Sequence, residues 1–117
     1  MHRFKELEIW KRSRSFCSEI YKITAGFPES EKFGLTNQLR RASVSLPSNI
    51  AEGSSRQSNK DFSRFLEITL GSAYEMETQL LIAFDLKFIS EKELETINNE
   101  LQEIVKMISK FKSNLKI

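Results

Sequence analysis

Cysteine and histidine occur once each in this 117-residue sequence, as Cys17 and His2. A lone thiol makes no internal disulfide, and with one imidazole a zinc site would have to be built mostly from carboxylates, so no metal is expected. Cys17 falls on the apolar side of a helix with no histidine to activate it, and it reads as a structural thiol. His2 is terminal and is expected to fray. There are only 4 glycines and 2 prolines, too few for a β-sandwich or barrel with a turn every few residues. The longest apolar run, Leu80 to Phe84, is far short of a membrane span. The opening residues contain no apolar secretory segment. Glu-x-x-His pairs of the di-iron bundle type and glycine-rich phosphate loops are both missing. The expectation is a cytoplasmic protein that is not an enzyme and has no cofactor and no membrane partner.

What is present suits a globular chain: 39% hydrophobic and 29% charged residues, read as one domain over residues 1–117. The net charge of +2 is unevenly spread. Residues 1–24 hold six basic and three acidic side chains, whereas residues 58–88 hold three and five. Such polarity fits an RNA partner or head-to-tail subunit packing.

Four segments carry helical periodicity. Leu7 to Thr24 places Leu7, Trp10, Cys17, Tyr21 and Thr24 on one stripe, flanked by Ile9, Phe16, Ile20 and Ile23. A second helix is predicted from Ser30–Glu31, with Leu35, Leu39, Ala42, Leu46 and Ile50 within about 80° of one another. Pro47 lies inside it and predicts a kink or a short break, because it removes a backbone donor. The third, from Ser58 to about Leu86, has the stripe Phe62, Leu66, Thr69, Ala73, Met76, Leu80 and Ala83. Of its 23 residues from Phe62 to Phe84, thirteen are apolar or aromatic. A helix apolar all round is buried on several sides, and one of those sides is expected to meet another subunit. Gly71 within it suggests a close helix approach. Ser90 to Glu93 is a capping-box pattern opening a fourth helix, whose seam runs Leu94, Ile97, Leu101, Ile104, Ile108, Phe111, Leu115. The result is all-α: an antiparallel up-down four-helix bundle with its second helix kinked at Pro47.

Two surfaces stand out. On the second helix Gln38, Arg41, Ser45, Ser48 and Glu52 recur at helical steps, with Asn49 alongside. Short hydroxyls and amides let another backbone come close, so this polar face is expected to meet a helix or a subunit. Arg41 is expected to be partly buried against a carboxylate, Glu52 or Glu75, within or between subunits. The basic residues Arg12, Arg14, Arg40 and Arg56 are the candidates for holding RNA phosphates, since none lies centrally on its helix's apolar stripe. Phe4, Trp10 and Phe16 read as core rather than as base-stacking platforms.

The stretch from Gln38 to Gly53 (QLRRASVSLPSNIAEG) resembles the bacterial four-helix-bundle family encoded within intervening sequences of 23S ribosomal RNA genes. Residues 7–11, 27–35 and 65–80 are similar to that family's opening, linker and third helix. The resemblance implies a ring-like homopentamer carrying a ribosomal-protein-like label. It also suggests kinship with the accessory variability proteins of diversity-generating retroelements, which are pentameric and bind nucleic acid and a reverse transcriptase. The function expected is therefore that of an oligomeric, RNA- or ribosome-associated accessory protein. The alternative is a scaffold or adaptor whose partner is another protein.

Overall fold

The computed structural model describes residues 2–117 and contains four long helices: α1 (Glu8–Thr24), α2 (Leu35–Ser54), α3 (Asn59–Asp85) and α4 (Glu91–Ser113). Single 3-10 turns at Phe4–Glu6 and Glu29–Glu31 precede α1 and α2, and there is no strand among the described residues. The long axis of the molecule is 44 Å. Cross-helix contacts fix an antiparallel order. Cys17 of α1 meets Ser43 of α2, Gln38 early in α2 meets Gln79 late in α3, and Glu67 and Glu77 of α3 meet Lys112 and Gln102 of α4 in reversed sequence.

Each helix begins and ends for a local reason. The Ser58 hydroxyl accepts from the Asp61 amide at 3.1 Å. At α4 the capping box forms in full: Ser90 Oγ accepts from the Glu93 amide, and Glu93 Oε1 accepts from the Ser90 amide at 2.9 Å, which satisfies two otherwise orphaned donors. The second helix starts later than the sequence predicts. Ser30 and Glu31 belong to a 3-10 turn, and the Glu31 carboxylate reaches forward to accept from the Leu35 amide at 3.0 Å, taking the capping role. At the end of α3, Lys87 adopts a left-handed φ of 65°. The Lys87 amide donates to Phe84 and the Phe88 amide to Ala83, a Schellman closure built on lysine where glycine is usual.

The break allowed for at Pro47 does not occur, because α2 continues to Ser54. The five predicted apolar positions of α2 and the seven of α3 are all buried. On α1 the centre of the buried face is Ile9, Ser13, Phe16, Ile20 and Thr24, while Trp10 and Cys17 are half-buried and Tyr21 is exposed. The inward arc is thus displaced from the predicted stripe, because α1 packs between α2 and α4. In α4, Ile97, Leu101, Ile104 and Ile108 close the core.

Gly53 explains itself by contact. A Cβ there would lie 2.6 Å from Phe65 Cβ and 2.9 Å from Phe62 Cδ1, so only glycine lets the end of α2 cross the start of α3 this closely. Gly71 is the opposite. It is exposed, and an added Cβ would meet nothing within 4 Å. The close approach expected there is not made within the chain.

His2 is not frayed either. Its ring lies 5.0 Å from Phe62 and 6.0 Å from Phe111, Nε2 is 3.2 Å from Asn59 Oδ1, and its amide donates to the Ser54 carbonyl. Asn59 Nδ2 also donates to the Lys116 carbonyl, so one side chain ties both ends of the chain to the start of α3.

Candidate functional site

The polar face of α2 borders α3. Gln79 Nε2 donates toward Gln38 Oε1 at 3.5 Å and to Glu75 Oε1 at 3.2 Å. Ser45 Oγ donates back to the Ala42 carbonyl, and Asn49 Nδ2 donates to the Ser45 carbonyl at 2.9 Å. The Ser45 and Asn49 bonds are local to α2, and only Gln38 reaches across to α3. Ser48 is exposed. Arg41 is also exposed, with no hydrogen bond or ion pair among the described residues. Its expected burial against a carboxylate of the same chain is not found, and the reason is geometric. Glu52 lies eleven residues along α2, about 16 Å of rise, and pairs with Arg56 at 3.0 Å. Glu75 is engaged by Gln79.

Beside this face, α3 exposes apolar side chains in number. Ile68, Ile82 and Leu86 are substantially exposed there, Ile82 at 43%, while the exposed Tyr74 and Leu81 lie roughly 100° round the helix on the α4 side. Ile68, Gly71, Glu75, Gln79, Ile82 and Leu86 step along the helix by three or four residues, so they share the flank nearest α2. The surface is an apolar and small-residue ridge on α3 beside a short, polar strip on α2.

The four arginines picked from the sequence do not converge. Arg12 makes a bidentate pair with Glu100, Nε and Nη2 donating at 3.1 and 3.0 Å, and pins α1 to α4. Arg40 donates to Thr24 Oγ1 at 2.9 Å and to the Tyr21 carbonyl at 3.3 Å, covering the C-terminal end of α1. Arg56 pairs with Glu52 and stacks over Phe65 at 4.8 Å. Arg40 lies fourteen residues before the last residue of α2 and Arg56 just beyond it, so about 21 Å of helix separates them. Arg14 has no carboxylate partner among the described residues and lies over Trp10 at 5.4 Å. The signal missed in the sequence was the run of cations beside Phe4 and Trp10, because both rings were read as core. Phe16 is buried, but Phe4 and Trp10 are only half-buried.

Residues 5–110 match the family described as 23S rRNA-intervening sequence protein. The chain belongs to that family. It is also similar to a crystal structure described as a protein of unknown function from the S23 ribosomal protein family of Bacteroides thetaiotaomicron VPI-5482. The two share 28% identity over 91% of this chain and 96% of the other, with a TM-score of 0.84. Comparison with curated proteins gives no match.

Within this family member the remaining places for chemistry are sparse. Cys17 Sγ is 3.4 Å from Ser43 Oγ, in the seam between α1 and α2. Among the described residues no three His, Cys, Asp or Glu side chains cluster as metal ligands. No helix is long and apolar enough to cross a membrane. A groove of about 750 Å³ runs between α1 and α4, floored by Phe16, Ile23 and Ile97 and edged by Glu19, Lys22, Lys92, Glu93 and Glu100. Charges of both signs along its rim give it no net preference for an anion or a cation.

Proposed function

We propose that this chain is a self-assembling, non-enzymatic accessory protein that works in association with RNA or ribosomes in the cytoplasm. The observation that carries the assembly is Gly71. A glycine in mid-helix costs about 0.5–1 kcal/mol relative to alanine, and among the described residues an added Cβ would meet nothing within 4 Å. It sits along α3 between exposed Ile68 and Ile82, and the neighbouring α2 exposes Arg41, which has no partner among the described residues. A second copy laid on this face would cover the apolar ridge, use the space at Gly71 and supply Arg41 with an acceptor. Repeated around a closed ring, the contact gives the homopentamer that the family resemblance implies. The RNA half of the proposal is supported by the family's description and by the excess of cations in the first helix. Multiplication of weak basic sites in a ring would raise their effective concentration.

Light scattering at micromolar concentration tests the assembly. The expected mass is near five times the 13.6 kDa of one chain, and Ile82→Arg is expected to release folded monomers. A wild-type monomer would end the proposal. Retention of structured ribosomal RNA fragments at about 0.15 M salt tests the second half. An assembly that retains no RNA leaves the scaffold alternative in its place.

A further inference from the structure

The start of α1 gathers aromatic and basic side chains at the edge of the core, with Trp10 packed against it. Trp10, the only tryptophan in the sequence, is half-buried. The Phe4 ring meets it edge-on, with centroids 5.1 Å apart at 69°. One helical turn further on, the Arg14 guanidinium carbon lies 5.4 Å from the indole centroid. Phe4, Trp10, Lys5, Lys11 and Arg14 line an open cleft of about 760 Å³. A smaller hollow of about 330 Å³ shares Trp10, Lys11 and Arg14 and continues along α1 to Ser15 and Ser18. The wall of the larger cleft thus has three cations, two aromatic rings and no carboxylate.

The carboxylates nearby are weakly committed. Glu8 meets Lys11 at 3.5 Å and Glu6 meets Arg3 at 3.6 Å, both as exposed pairs three residues apart. Such pairs contribute little and exchange readily for another anion. Among the described residues Arg14 is held only by the indole face. The indole can therefore pass from a guanidinium to a flat, uncharged ring while the guanidinium moves to a phosphate.

We propose that this cleft binds single-stranded RNA, with a base stacked on Trp10 in the place Arg14 occupies and the flanking phosphates held by Lys5, Lys11 and the displaced Arg14. The proposal rests on the RNA-associated reading above and names the strand form and the residues. A duplex keeps its bases stacked on one another, whereas an unpaired base is free to enter a cleft and lie on an aromatic face. The two hollows along α1 give the strand a direction, past Trp10 toward Ser18.

Because Trp10 is the sole tryptophan, its emission reports on the cleft directly. The whole chain is titrated with fluorescently labelled oligouridine of about 12 nucleotides, within the span of single-strand sites, reading Trp10 emission and RNA anisotropy together. Saturable quenching that follows the rise in anisotropy is expected, with a hairpin duplex of equal length binding more weakly and quenching little. Trp10→Ala is expected to weaken binding by about 5- to 150-fold, the loss of one stacked base. A Lys5→Gln, Lys11→Gln, Arg14→Gln variant alters only exposed side chains and leaves the core intact. It is expected to flatten the dependence of log affinity on log salt by roughly 0.7 for each cation removed. RNA binding with unchanged Trp10 emission and an unchanged triple variant would overturn this cleft while leaving RNA association standing. Equal quenching by the duplex would overturn the single-strand assignment. An emission shift on diluting the protein without RNA would show that a second copy covers the cleft, which overturns it too. No RNA bound by the wild type even at about 50 mM salt would remove both this proposal and the reading beneath it.

Discussion

Replacing Gly53 with alanine sets two effects against each other, and the structure decides between them. Alanine gains about 1 kcal/mol of helix propensity over glycine, and elsewhere on this bundle that gain would be realised. At Gly53 the new methyl would stand 2.6 Å from Phe65 Cβ, 2.9 Å from Phe62 Cδ1 and 3.2 Å from Phe65 Cγ. Phe65 Cβ is fixed to the backbone of α3, so no rotamer change moves it away. The ends of α2 and α3 must separate by about an ångström, and Phe62, buried between His2 and Phe111, must shift with them. Overpacking of this kind costs typically 1–3 kcal/mol or more, and here it also disturbs the aromatic cluster at the chain termini. With the propensity gain set against that cost, a net destabilisation of up to about 2 kcal/mol is expected, seen as a lower urea midpoint with an unchanged slope. Gly71→Ala serves as the internal comparison, since its methyl meets nothing within 4 Å. Under conditions where subunits are separated it is expected to stabilise by a few tenths to 1 kcal/mol. A Gly53→Ala variant as stable as wild type would refute the close crossing of α2 on α3.

Other substitutions probe other parts of the argument. Leu101→Ala and Ile108→Ala, both at 0% exposure, are each expected to cost on the order of 2–5 kcal/mol, and thermal melts within a degree or two of wild type would undo the seam of α4. Lys87→Gly relieves a non-glycine residue of its left-handed backbone at φ 65° and is expected to raise stability by about 0.5–1 kcal/mol, read as an upward shift of a few degrees in Tm. Arg41→Ala removes an exposed side chain without a partner among the described residues. It is therefore expected to leave the melt of separated subunits unchanged while weakening the assembly measured by sedimentation, and an assembly of undiminished affinity would show that the face is only solvated.

The helices were legible because their information is local and repeated. The stripe of α3 and the seam of α4 each place several apolar residues at three- and four-residue steps, and the Ser90–Glu93 box names its own start. The start of α2 was misplaced because a glutamate three residues after a proline looks like the first turn of a helix. Only the structure shows the Glu31 side chain capping Leu35 from outside it. His2 was misjudged for a different reason. Position near a terminus says nothing of Phe62 and Phe111, which lie sixty and more residues away and hold its ring.

The candidate site was less legible still, because availability of a charge is a property of its partner. Arg12 and Arg14 are alike in sequence, two residues apart on either side of Ser13. One is held by Glu100 at a separation of 88 residues and the other rests on Trp10 four residues away. Nothing local distinguishes them, since the carboxylate that claims Arg12 is brought up by the packing of α4. The same holds for the glycines: Gly53 and Gly71 both sit within helices, but one is pressed against two phenylalanines and the other faces open space. A basic or small residue becomes a candidate for recognition only after the fold has taken its share of contacts. What the fold leaves over is Arg14 beside Trp10, and the exposed Arg41 of α2 and Gly71 of α3. One of these places is aromatic and cationic, suited to a base and its phosphates. The other is apolar and short-chained, suited to a second helix. They lie on different helices, so if both proposals hold, Arg14 substitutions are expected to weaken RNA binding and Ile82 substitutions to weaken self-assembly, each without the other.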